Sequence, residues 1–199
     1  MEQTENRLLI VFVKNPEMGR VKTRLAADIG DTEALHIYQK LTAHTRREAS
    51  EVKADRQVWY SEFIDQKDPW SSTLFAKRLQ PGGNLGKKME RAFASGFNSG
   101  YGKIVLIGSD CPTILTRHIE EAFEKLESHD TVLGPSSDGG YYLIGLKELN
   151  TSLFQDKPWS SSGLYEQTLT ELQDSSLSYC ELEELNDIDT ADDLESVNL

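Results

Sequence analysis

Short, β-branched apolar runs alternate with stretches of helical periodicity along almost the whole chain, and that alternation leaves few ways to fold. Arg7–Val13 (RLLIVFV) is nearly all apolar, as a strand covered on both faces must be. Lys103–Ile107 (KIVLI) is the clearest buried strand, and residues 56–60, 130–134, Tyr141–Leu146 and 177–181 read the same way. Residues 74–80 suit either a short strand or a helical turn. Helical spacing runs through 31–51 (Leu35, Tyr38, Leu41, Thr45), 85–97 (Leu85, Met89, Ala92, Phe93, Phe97), 116–128, 162–174 and 190–197. Strands alternating with helices predict an α/β protein with a mostly parallel central sheet flanked by helices. With no repeat, low-complexity tract or linker, residues 1–199 are expected to form one domain.

Charge narrows the partners. The formal net charge of −12 disfavours broad binding to DNA or RNA, where lysines and arginines must neutralise phosphates. It leaves a mononucleotide open, since one diphosphate needs only a few local cations and a metal. Cys111 and Cys180 match no zinc spacing and no disulfide framework. The first apolar run has no basic leader before it and no small-residue cleavage site after it, and no segment reaches the length of a membrane span. The expectation is a cytoplasmic protein without a membrane span.

In open α/β sheets ligands bind beyond the carboxyl ends of the strands. After the first strand come Lys14, Asn15, Pro16, Gly19, Arg20, Lys22 and Arg24: cations, with a glycine that lets backbone N–H groups approach an anion. A solvated basic loop would look the same. The spacing fits neither a P-loop nor a dinucleotide-binding glycine fingerprint. Lys103–Ile107 is followed by Gly108, Ser109 and Asp110, where a carboxylate can either hold a hard cation or cap the next helix. Pro135, Asp138, Gly139 and Gly140 follow the next strand. Near the C-terminus Asp192 and Asp193 suit a helix first turn, whereas Asp187 and Asp189 flank Ile188 as though on an extended segment. The histidines and tryptophans read as packing or surface residues, though Trp159-Ser160-Ser161 falls where an acceptor loop could lie. Cys111 reads as a small packing residue.

These pieces combine into an ordered set: K-x-P-x-x-G-x-x-K-T-R-L (Lys14 to Leu25), G-x-x-G-x-x-M-x-x-A-F (Gly83 to Phe93), G-x-D-x-P (Gly108 to Pro112), D-G-G-Y-Y-L-I-G-L (Asp138 to Leu146) and D-I-D-T-x-x-D-L (Asp187 to Leu194). The set resembles the radical-SAM/selenodomain-associated transferases, a branch of the GT-A nucleotide-diphospho-sugar transferases. Two departures stand out. Asn84 occupies a place where an aspartate is expected, and the first loop lacks the G-x-G-x-R form of the better-known nucleotidyltransferases.

The resemblance implies a GT-A, Rossmann-like three-layer fold and a metal-dependent transferase, foremost a glycosyltransferase using a nucleoside diphosphate sugar. A nucleotidyltransferase acting on a phosphorylated acceptor is the alternative, and a catalytically inactive nucleotide-binding regulator is the alternative of another class. It implies that Lys14, Gly19, Lys22, Arg24 and Gly86 bind the nucleotide, that Asp110 and Asp189 hold Mg²⁺ or Mn²⁺, and that Asp138, Gly139, Gly140 and Tyr141 face the sugar or a small-molecule acceptor. Asp138 and Lys22 would carry the chemistry.

Overall fold

The computed structural model describes residues 6–159 and 161–195. Ser160 of the expected acceptor loop, and the last two positions of the helix expected over 190–197, lie outside the described residues.

Among the described residues seven strands form one sheet: β1 (Arg7–Val13), β2 (Asp55–Tyr60), β3 (Ala76–Leu79), β4 (Lys103–Ile107), β5 (Thr131–Pro135), β6 (Tyr141–Leu146) and β7 (Tyr179–Glu181). Their spatial order is β3-β2-β1-β4-β6-β5-β7. β6 runs antiparallel to both its neighbours, β4 and β5, and the other pairs among the described residues are parallel. The ambiguous segment at 74–80 is an edge strand, β3, paired with β2 in parallel.

The helices are α1 (Thr23–Ile29), α2 (Asp31–Ser50), α3 (Leu85–Asn98), α4 (Thr116–Lys125), α5 (Leu164–Asp174) and α6 (Ala191–Glu195), with a 3-10 turn at Thr151–Phe154. Alternation along the central strands feeds two cores. Leu9, Val11, Val13, Val105 and Ile107 point to one face and meet Ala49, Val52, Ile119, Ala122 and Phe123 of α2, α4 and their ends. Leu8, Ile10, Ile104 and Leu106 point to the other and meet Met89, Ala92, Phe93 and Leu172 of α3 and α5. Helices on both faces of a mixed, mostly parallel sheet make the three-layer GT-A architecture, as the motif set implied.

A smaller cluster matters more for the site. Leu25 of α1, with Ala34, Ile37 and Leu41 of α2, encloses the fully buried Ile188. The stripe of α2 is therefore Ala34, Ile37, Tyr38, Leu41, Thr45 and Ala49, with Leu35 only half-buried. Helix α1 sits where the sequence reads as loop. Its one fully buried side chain, Leu25, makes no periodic stripe.

Candidate active site

Strand β4 ends at Ile107, and the chain then turns sharply through Gly108, Ser109 and Asp110. A Cβ on Gly108 would stand 2.8 Å from Oδ1 of Asp110, so the missing side chain leaves room for that carboxylate. The Asp110 carbonyl accepts a hydrogen bond from Ile188 N–H at 3.2 Å. That bond ties the strand end to the extended segment around Ile188. With Ile188 anchored between α1 and α2, Asp187 and Asp189 on either side of it are delivered beside Asp110.

Lys22 closes the arrangement. Its Nζ lies 3.0 Å from Asp110 Oδ2 and 3.4 Å from Asp189 Oδ1, and its side chain is only 4% exposed. Burial disfavours the ammonium, but Asp110 and Asp189 outweigh it and hold the Lys22 pKa above its ordinary value. The residue is also backbone-strained, with φ 47° and ψ 47° just before α1, a left-handed conformation that costs a non-glycine residue about 1–2 kcal/mol. Arg24, two residues on and exposed, places Nη1 3.4 Å from Asp189 Oδ2.

Asp187 is the unsatisfied member. Its Oδ1 is buried without a hydrogen-bond partner. Burial and then repulsion from Asp110 push its carboxyl well above the usual range, with Lys22 pulling the other way. Asp110 and Asp189 thus face one ammonium and one guanidinium, with Asp187 buried beside them. An all-oxygen donor set with an orphaned buried oxygen suits a hard divalent cation, which needs only one or two carboxylates beside water and substrate phosphate. Among the described residues no group of three His, Cys, Asp or Glu side chains is drawn together to hold a metal ion. Asp110 and Asp189 fit the sparser, two-carboxylate kind of site.

These groups line a cleft of about 530 Å³ at the carboxyl rim of the sheet. Lys14, Lys22, Arg24, Asp110, Asp138, Gly140, Tyr141 and Asp189 all border it. Lys14 is positioned by Tyr38, whose hydroxyl accepts from Lys14 N at 2.8 Å and donates to Lys14 O at 2.9 Å. Asp138 turns the β5–β6 connection by accepting from Gly140 N at 2.9 Å through Oδ1. Tyr141 reaches the cleft from the start of β6, and its hydroxyl is buried without a partner.

Three expected ligand residues are placed away from the cleft lining. Gly86 is buried in α3, where a Cβ would meet Phe154 O at 2.3 Å and the Trp159 ring at 2.5 Å, so its smallness serves packing. Gly139, at φ +86°, abuts the Ser162 backbone. Gly19, at φ +74°, turns the basic loop near Asp31. Asn84 caps α3, accepting from Lys87 N at 3.0 Å. Asp193 folds back to accept from Asp189 N and Thr190 N, which fixes the loop that carries Asp189.

The cleft also has walls that site reasoning from sequence overlooked: Tyr38, Ser61, Gln80, Lys88 and Leu164. Tyr38 looked like one more apolar position of α2. A phenol in a stripe that reaches a strand end was the available signal. Gln80 closes the segment that the sequence left open between strand and helical turn, and Ser61 follows a strand whose end was legible but which carried no charged residue to mark a site.

The family model described as "Uncharacterized protein conserved in bacteria (DUF2064)" matches residues 44–161. No protein of curated function matches the chain. Among solved structures, a protein of Desulfovibrio desulfuricans G20, assigned to the nucleotide-diphospho-sugar transferases, is 30% identical with a TM-score of 0.86, over 94% of this chain and 84% of that one. CMP:2-keto-3-deoxy-manno-octonic acid synthetase, solved with CTP, shares the fold at 10% identity and TM-score 0.57, covering 96% of each chain. Glucosyl-3-phosphoglycerate synthase of Mycobacterium tuberculosis, solved with Mg²⁺ and UDP, does so at 11% and 0.52, over 92% of this chain and 70% of its own.

The affiliation read from the motifs is corrected by these matches. The GT-A part of it stands, but the radical-SAM/selenodomain association does not: the matching family is a different one, and the described residues hold no cysteine cluster of the kind an iron–sulfur enzyme uses. No helix among the described residues is long and apolar enough to cross a membrane.

Proposed function

Because the chain belongs to the family described as "Uncharacterized protein conserved in bacteria (DUF2064)" and has the GT-A fold of nucleotide-sugar and nucleotidyl transferases, we propose that it is a metal-dependent transferase acting on a nucleoside diphosphate sugar. The observation that carries this reading is the convergence of Asp110 and Asp189 on Lys22 at the floor of the cleft, beside the buried Asp187. Asp110 and Asp189 would hold Mg²⁺ or Mn²⁺, which supplies Lewis-acid stabilisation of a leaving diphosphate. Lys22 and Arg24 add positive charge where negative charge develops, the term that dominates such reactions. Lys14 extends the basic wall toward the nucleotide. Asp138 keeps one carboxylate oxygen free of its turn and can accept a proton from an acceptor hydroxyl, with Gly140 and Tyr141 shaping that side.

Nucleotidyl transfer is the second reading. It draws on the CTP-bound relative, which matches this chain across nearly the whole length of both. Inorganic pyrophosphate release with a phosphorylated acceptor separates it from sugar transfer.

The test is a thermal-shift panel of UDP-, GDP-, CDP- and ADP-linked sugars with and without Mn²⁺, run on the wild type and on Asp110→Asn. At least one donor should stabilise the wild type more strongly with Mn²⁺, and Asp110→Asn should lose that increment with unchanged circular dichroism. An undiminished increment in Asp110→Asn removes Asp110 from the metal site and the proposal with it.

A further inference from the structure

Lys22 is the one ammonium within ion-pair distance of both Asp110 and Asp189 among the described residues. It is held there at a backbone cost, in a left-handed conformation, with its stem buried. The oxygens it contacts are the ones a divalent cation would take at about 2.0–2.6 Å. An ammonium and a dication on the same lone pairs repel each other, so the two states compete. Asp187 keeps an unpartnered buried oxygen beside the pair, a ligand function that the ammonium leaves unsatisfied.

We propose that Lys22 is the resident counter-ion of the metal-free site, and that Lys22 must withdraw its ammonium from Asp110 and Asp189 before these can ligate a divalent cation. The displaced ammonium then turns into the cleft, where Lys22 already forms part of the wall. One residue thereby serves the two states in turn: it neutralises the acidic cluster in the empty protein and is released toward donor phosphates once the cluster is filled. This rests on the reading of Asp110 and Asp189 as cation ligands.

Mn²⁺ binding without nucleotide, followed by electron paramagnetic resonance on the wild type and Lys22→Met, tests it. Removing the competing charge should tighten Mn²⁺ binding about tenfold, equivalent to 1.4 kcal/mol. Wild type and Lys22→Met binding equally, or the variant binding more weakly, overturns the exchange while leaving the metal site intact. A free-Mn²⁺ signal that neither protein diminishes overturns the site itself and the exchange with it. A measurement on the wild type alone guards against a misfolded variant. Acetylation of Lys22, read by mass spectrometry, should rise at saturating Mn²⁺ as the ammonium leaves its carboxylates. Unchanged labelling at saturation sinks the proposal.

Discussion

The Asp110 carbonyl and the Ile188 amide, 3.2 Å apart, join the tip of β4 to the C-terminal segment, and the placement of the acidic cluster depends on that link. Ile188 is fully buried among Leu25, Ala34, Ile37 and Leu41. Its side chain sets the register in which Asp187 and Asp189 arrive.

Ile188→Ala should therefore act twice. It leaves a cavity that costs about 2–5 kcal/mol, read by urea denaturation. It should also loosen the Asp187–Asp189 segment and weaken Mn²⁺ binding, whereas Ile188→Val should cost only about 0.5–1.5 kcal/mol and keep binding. Loss of stability with full Mn²⁺ affinity would show that Asp189 is positioned independently.

Gly108→Ala puts a methyl group 2.8 Å from Asp110 Oδ1. The short Asp110 side chain must rotate to relieve it, which disturbs the carboxylate's present placement beside Lys22. Mn²⁺ affinity should fall by about tenfold, the scale of misplaced metal-site partners, with little change in melting temperature. Titration by electron paramagnetic resonance beside a melting curve separates the two effects.

Asp187 gives a pH signature in the metal-free protein. Burial and Asp110 raise its folded pKa, so the fold holds this proton more tightly than the unfolded chain does. Its stability penalty is absent below the unfolded value of about 3.9 and grows as pH rises from there toward the folded value. Asp187→Asn should match the wild type near pH 3.5 and be more stable at pH 7, by about 1 kcal/mol or more. Melting temperatures across that range check the sign, and a less stable variant at pH 7 contradicts it.

Glu48 has the opposite sign. Burial would raise its pKa, but bonds from Thr116 N and Thr116 Oγ1, each 3.0 Å from Oε2, outweigh that and lower it. Its contribution is present above the unfolded value of about 4.3 and is lost as pH falls through the folded one. Glu48→Gln should cost about 1–2 kcal/mol at pH 7, where a charge-assisted bond to the start of α4 is weakened, and nothing in acid below the folded value.

What could be read in advance follows burial. β1, β4 and β6 lie where the residues placed them because strands covered on both faces are apolar throughout and end at polar turns. Asp110 and Asp138 drew notice because each follows a strand, and Asp189 because it alternates with Ile188 on an extended segment. Helix α1 was hidden, since Lys22 enters it in a left-handed conformation and Leu25 alone is fully buried. Gly86 sat in a motif suggestive of a ligand contact, and its actual neighbours, Phe154 and Trp159, come from a distant loop. A glycine that admits a phosphate and one that admits an indole ring look identical in one dimension. Asp187 could be placed on the segment, but its burial depends on Asp110 and Lys22 arriving from elsewhere.

The reversed direction of β6 has a consequence for how this scaffold can diversify. Running against β4 and β5, β6 begins at the rim where its neighbours finish, so the Ser136–Gly140 hairpin and the Asp110 turn open side by side. On the proposed transferase reading, exchange of that hairpin would retune which second substrate is admitted while the Asp110 turn and the basic loop keep their supports. The layout lets one wall of the cleft change without disturbing what supports the other.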